Sequence, residues 1–296
     1  MKNTTLGFLA ALGATLIYGL NHTVAKNVMP TYISPFGFIL LRVLGATILF
    51  WVASIFVKPQ SIEKKDWPRL LACSFLGMVI NMLSFFKGLE LSTPVNSSVI
   101  ITISPIIVFI FSAILLKEKI KLVRSLGILF GFIGAIILVI YTAKTGLNAP
   151  NIPLGNILFI VNSFAYGLYL VLVKPLIHKY NVVNLLKWLF LLAIFMNFPI
   201  TINEFTNVNW MNLPIKEAII PMFFVVVGTT FCTYLFNAYA LRTLSPSTVS
   251  SFIYLQPIVG IVYALLTKSD SLSMVSILGM VLIFIGIYLV TKKQYV

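Results

Sequence analysis

Long stretches of almost uninterrupted apolar residues follow one another from end to end of this chain, separated by short polar breaks that hold most of its charge. A membrane-spanning helix needs roughly 20 mostly apolar residues. On that measure the pattern predicts ten helices, at about 5–25, 34–57, 67–87, 94–116, 122–141, 153–174, 182–202, 216–240, 246–267 and 272–291. A transmembrane barrel strand alternates apolar and polar positions, and these unbroken runs exclude it. The first segment, with its basic flank at Lys2, also fits a secretory signal, although Thr23-Val24-Ala25 makes a poor cleavage site. A later copy of the same segment favours a span.

That copy belongs to a duplication. Shifting the stretch Leu89 to Gly134 forward by 152 residues superimposes Pro94 on Pro246, Ser98 on Ser250, Pro105 on Pro257, Gly127 on Gly279 and Gly134 on Gly286. Matches among Ile, Leu and Val carry little weight in so apolar a chain, whereas each proline or glycine dictates a backbone feature. At a shift of 148, Leu6-Gly7 falls on Leu154-Gly155, Tyr18-Gly19-Leu20 on Tyr166-Gly167-Leu168, Lys26 on Lys174 and Tyr32 on Tyr180. The copies meet at a Gly/Asn/Pro-rich connector near Thr145 to Pro153. Each half therefore holds five helices, and an odd number turns the second copy upside down relative to the first. The expected fold is an all-α polytopic membrane protein with ten transmembrane helices as two inverted five-helix repeats, 1–147 and 152–296, forming one membrane domain.

Composition agrees: 59% of the 296 residues are hydrophobic and 9% charged, far from soluble usage. The net charge of +14 could suggest a nucleic-acid partner, but the cations sit in short loops, where a bilayer explains them and no nucleic acid is needed. With the N-terminus inside, fifteen Lys and Arg fall on the cytoplasmic side and five, at Lys26, Lys87, Lys144, Lys216 and Lys268, on the other. The bias predicts a multi-pass protein of the cytoplasmic membrane with both termini inside. The basic loop Lys117-Glu118-Lys119-Ile120-Lys121 and its cation-free counterpart Ser269-Asp270-Ser271-Leu272-Ser273 fit that inversion. Cys73 and Cys232 lie in apolar runs and read as small hydrophobes.

A five-plus-five helix repeat of this length, with a Pro-led fourth helix running into Lys117-Glu118-Lys119, a Gly-rich fifth helix and an apolar second helix carrying one arginine, resembles the EamA-type branch of the drug/metabolite transporter superfamily. The resemblance implies a central cavity surrounded by helices 1, 3 and 4 with 6, 8 and 9, while 5 and 10 pack to the side. It implies a secondary transporter for a small polar or amphipathic metabolite, such as an amino-acid-like solute, moved outward by alternating access between the repeats.

Candidate residues follow from polar positions inside the spans. Pro105 and Pro257 free the carbonyls of Ile101 and Ile253, and serve as hinges or as structural bends. Ser98 and Thr102 share a face of helix 4, as Ser250 and Tyr254 do on helix 9, with Asn96, Ser97, Ser251 and Gln256 nearby. Asn81, Ser84 and Phe85 on helix 3, Thr229, Thr230, Thr233 and Asn237 on helix 8, and Tyr18, Asn21, Asn162, Tyr166 and Tyr169 on helices 1 and 6 would complete substrate-binding walls. Each hydroxyl has the alternative of bonding within the bundle. His22 reads either as a packing residue or as a substrate or proton contact. Arg42, the one cation deep in a span, reads either as a contact for a substrate anion or as a tie to backbone carbonyls or lipid head groups.

The acidic residues Glu63, Asp66, Glu90, Glu118, Glu204, Glu217 and Asp270 all fall in loops or at helix ends. This weighs against a carboxylate proton relay and against a membrane metalloenzyme, so no metal, cofactor or catalytic residue is expected. A scaffold without transport activity is the remaining class. Gly127, Gly131 and Gly134, with Gly279 and Gly286, offer a close-packing face, used internally or between the subunits of a homodimer.

Overall fold

A computed structural model describes residues 2–142, 149–259, 262 and 274–292. The helices are α1 (Lys2–Val28), α2 (Pro35–Ser54), α3 (Lys64–Leu91), α4 (Pro94–Ile101 and Ser104–Leu115), α5 (Leu122–Thr142), α6 (Ile152–Lys179) and α7 (Val182–Thr206). They continue with α8 (Ile215–Thr243), α9 (Pro246–Ser251 with the 3-10 turn Phe252–Leu255) and α10 (Met274–Thr291). Seven helical stretches, in α1 to α4 and α6 to α8, are long and apolar enough to cross a membrane, and α5 and α10 carry shorter apolar helices. The end of the ninth expected span, the Ser269 to Ser273 loop and the first part of the connector lie outside the described residues.

Several starts are capped as the sequence requires. Thr93 Oγ1 accepts from the Asn96 amide and Ser245 Oγ from the Thr248 amide, each just before the proline that opens α4 or α9. Glu204 of α7 accepts from the Phe36 and Gly37 amides, so a carboxylate sits at the positive end of α2.

The winding departs from uniform α-helix at matched places. A π-helical segment, Phe75–Ile80, interrupts α3, and another, Phe224–Cys232, interrupts α8; the 152-residue shift carries the first into the second. Helix α4 breaks at Thr102 and Ile103, and α9 tightens at Phe252–Leu255, directly before Pro105 and Pro257. The bends expected at Pro105 and Pro257 are thus full interruptions of the α-helical winding. A ring without an N–H cannot continue the ladder, so the helix restarts at the proline.

Helix pairing follows the same relation. Helix α2 packs along α7 and α5 along α10, while α1 lies on α8 and α3 on α6. The repeat carries the first two pairs into themselves and exchanges the other two. Gly7 of α1 meets Thr243 and Leu244, and its copy Gly155 meets Gly88 and Ser92, so the start of α1 lies at the α8–α9 corner and the start of α6 at the α3–α4 corner. Because α1 crosses the bundle, these corners lie at opposite ends.

Outward faces are apolar: Ile48, Phe195, Phe198, Ile220, Phe223 and Leu278 are exposed, and a bilayer would cover them. Trp51, Trp67 and Trp188 meet edge to face at 5.8 Å, with the Lys187 ammonium 5.0 Å from the Trp51 ring. Tryptophans of this kind suit a membrane–water boundary. At the same end, Glu118 accepts from Ser247 of α9 at 3.1 Å, fastening the α4–α5 turn. Burial pushes its carboxyl above the ordinary range, against the lowering pull of Ser247, Arg124 and Lys174.

Helices α5 and α10 are in backbone contact through glycine. A Cβ on Gly286 would lie 2.6 Å from the Gly127 carbonyl oxygen and 2.6 Å from the Gly131 nitrogen, and one on Gly134 would lie 2.6 Å from the Gly279 carbonyl. The glycine face is thus used inside the chain. Gly286→Ala should cost about 1–3 kcal/mol of overpacking, lowering the melting midpoint in detergent. Gly228→Ala, whose nearest neighbour stands at 3.3 Å, should change it little; equal loss in both would refute this account.

Candidate substrate cavity

Between the helices lies an interior cavity of about 80 Å³, bordered by α1, α2, α3, α4, α6, α8 and α9, with room for several waters or a small solute. Its walls include Tyr18, Asn21 and His22 from α1, Arg42 from α2, and Asn81, Phe85 and Phe86 from α3. Asn162 and Tyr166 come from α6, Thr229 and Tyr234 from α8, and Ile253 and Gln256 from α9 and the turn after it.

His22 ties the walls together. Its Nδ1 lies 2.8 Å from Ser97 Oγ of α4 and its Nε2 3.2 Å from Gln256 Oε1, so both ring nitrogens are engaged. Phe85 meets the ring edge to face, with centroids 5.5 Å apart. Asn162 Nδ2 donates to the Asn81 carbonyl at 2.8 Å, and Asn81 Nδ2 reaches the Asn162 carbonyl at 3.5 Å, so an amide pair joins α3 to α6 just beyond the π-helical segment. The altered winding has a use here: the Tyr234 hydroxyl of α8 donates to the Gly77 carbonyl inside the α3 segment at 2.7 Å.

Arg42 is 4% exposed. Its Nε donates to Thr230 Oγ1 at 2.9 Å, and its Cζ stands 4.4 Å from the centre of the Phe86 ring. Among the described residues no acidic side chain lines the cavity. The expected tie to carbonyls or lipid head groups is replaced by a hydroxyl and an aromatic face, and α2 joins the six helices that the resemblance had placed around the cavity.

Of the expected binding residues, Tyr18, Asn21, His22, Asn81, Phe85, Asn162 and Tyr166 come together, with Arg42. Ser98, Thr102, Thr233 and Ser250 do not line the cavity, because their hydroxyls bond back to the carbonyls of Pro94, Val99, Thr229 and Ser247. Tyr169 stacks over Gly77 and Tyr254 over Gly131, each filling the space of an absent side chain. Asn237 stands behind Tyr166 and donates to its hydroxyl at 3.4 Å, and Ser84 is buried outside the lining. Pro105 and Pro257 sit at the breaks, not in the walls. Sequence reasoning missed Phe86, Ser104 and Tyr234 as wall residues; only the helix rotation set by packing distinguishes them from neighbours. Among the described residues no three His, Cys, Asp or Glu are grouped to hold a metal.

A sequence model of the EamA-like transporter family matches this chain twice, over residues 5–140 and 153–292. The chain belongs to the EamA-like transporter family. Among its relatives, an uncharacterized transporter of Archaeoglobus fulgidus is 27% identical over 94% of this chain and 95% of its own length. The uncharacterized transporter YoaV of Bacillus subtilis is 24% identical over 96% of each, and a WAT1-related protein of Arabidopsis thaliana 22% identical over 93% of this chain and 82% of its own. A crystal structure superposes with a TM-score of 0.74 at 17% identity, covering 98% of this chain and 96% of that one, which establishes a shared fold. Family membership and the apolar helices make this an integral, multi-pass membrane protein related to transporters.

With native Cys73 and Cys232 replaced by Ala, a cysteine at Asn81 should react with a small water-soluble thiol reagent much faster than one at Ser250, which is buried away from the lining. Equal rates would refute this cavity boundary.

Proposed function

We propose that this EamA-like protein is a secondary transporter that binds a small polar or amphipathic metabolite, such as an amino-acid-like solute, in the central cavity. Tyr18, Asn21, His22, Asn81, Phe85, Asn162 and Tyr166 provide its polar and aromatic contacts. Residues 1–147 and 152–296 act as two inverted repeats whose rocking exposes the cavity to either side in turn. The positive-charge bias favours a cytoplasmic membrane with both termini inside, and outward movement follows the resemblance already drawn.

One observation carries this reading: the two repeats make the same charged contact at opposite ends of the bundle. Lys26 Nζ donates to the carbonyls of Leu89, Glu90 and Ser92 at 2.7, 3.1 and 3.0 Å, at the end of α3. Lys174 Nζ donates to the carbonyls of Leu241 and Leu244 (the latter at 2.7 Å), at the end of α8. The 148-residue shift relates the lysines and the 152-residue shift relates Leu89 to Leu241 and Ser92 to Leu244. Each ammonium neutralises the negative end of a helix dipole and holds α1 or α6 against one corner. Releasing one corner while keeping the other would open the cavity to one side.

Hydrogen bonds to charged groups contribute about 1.5–3 kcal/mol, enough to move a balanced two-state equilibrium more than tenfold. Lys26→Gln and Lys174→Gln should therefore shift labelling of a cysteine at Asn81 toward opposite faces of proteoliposomes, and each should slow solute exchange. Shifts toward the same face would sink the alternating reading. Absence of any solute movement above empty liposomes, across a broad metabolite screen, would sink transport itself.

A further inference from the structure

We infer that the cavity selects a solute bearing a single carboxylate group and that Arg42 is the residue that binds it. This rests on the reading of the cavity as the solute site and adds the functional group of the solute.

The guanidinium is buried to 4% exposure in the body of the bundle, where an uncompensated charge is costly. Its protein partners account for Nε, through Thr230, and for one face, through Phe86. Arg42 also borders the cavity, and no described residue accepts a hydrogen bond from its terminal nitrogens. Those two nitrogens form the planar fork that matches two carboxylate oxygens. Among the described residues the cavity wall contains neither a carboxylate nor another Lys or Arg. A single anionic charge is therefore compensated, a phosphate dianion is left with excess charge, and a cation is repelled.

A second wall group points the same way. Asn21 Oδ1 is buried without a hydrogen-bond partner although Asn21 borders the cavity. Such an acceptor is expensive to leave unmade, and an N–H or O–H donor on the solute would satisfy it. His22 does not compete, since both of its ring nitrogens are engaged by Ser97 and Gln256. Phe85, Phe86 and Tyr166 leave aromatic surface for a hydrocarbon portion.

The test compares propionate, L-lactate, benzoate, L-alanine and L-leucine with the primary amide of each, by thermal shift of the purified full chain in detergent at neutral pH. A ligand that binds only the folded state raises the midpoint. At least one carboxylate should do so saturably while its amide does not. Arg42→Gln should remove that shift, and Arg42→Lys, which keeps the charge but loses the fork, should weaken binding roughly tenfold. The carboxylate–amide comparison in the wild-type chain stands even if a variant folds poorly. Equal stabilisation by an amide, unchanged binding by a folded Arg42→Gln, or no shift with any carboxylate would overturn the inference. Proteoliposomes that move only solutes without a carboxylate would overturn it and leave transport standing. Carboxylate binding through Arg42 without movement of any solute would support it and end the transport reading.

Discussion

Every polar group that leaves water for a hydrocarbon surrounding must find its partner within the protein, and the architecture of this chain follows from where those partners are. Helix ends are the acute case, because the last carbonyls of each helix have none of their own. At the ends of α3 and α8, Lys26 and Lys174 supply the missing donors from α1 and α6. Each lysine thereby joins two helices of its own half of the chain, and the bundle is fastened at both ends by the same chemistry.

Between these fastened corners the helices are not uniform rods. The π-helical segments of α3 and α8 and the restarts before Pro105 and Pro257 free backbone groups near the centre of the bundle. Irregular backbone is tolerated at such depth when it lies inside the protein or borders a cavity. The Tyr234 hydroxyl uses one freed carbonyl, at Gly77. The polar walls of the cavity stand beside these segments, so the features that weaken regular helix also create the interior site. Among the described residues, none from α5 or α10, which are locked by glycine contacts, lines it.

Electrostatics gives the cavity its direction of preference. One guanidinium, one unsatisfied amide oxygen and a surround of aromatic rings form an environment with a positive pole and an apolar flank. Among the described residues the other charges lie outside its lining. Placing a single charge where solvent is scarce gives it far greater leverage than a dozen lysines at the surface.

The sequence by itself determined the membrane class, the duplication, the proline breaks and the pairing of Lys26 with Lys174, because each is written in residue types whose meaning is local: an apolar run, a ring without an N–H, a matched cation. It also named Arg42, since a cation in a span is conspicuous whatever its surroundings. What only the tertiary structure decided is which polar residue faces the cavity. Ser98 and Ser97 are adjacent and both hydroxyls donate to the Pro94 carbonyl, yet only Ser97 also meets His22. Helix rotation separates them, and rotation is set by packing among helices distant in sequence. A hydroxyl in an apolar helix can always satisfy itself on the preceding turn, so its presence does not reveal its direction. Neither His22 nor Arg42 can do that: their partners, Ser97, Gln256 and Thr230, come from other helices, and only the folded bundle brings them within reach.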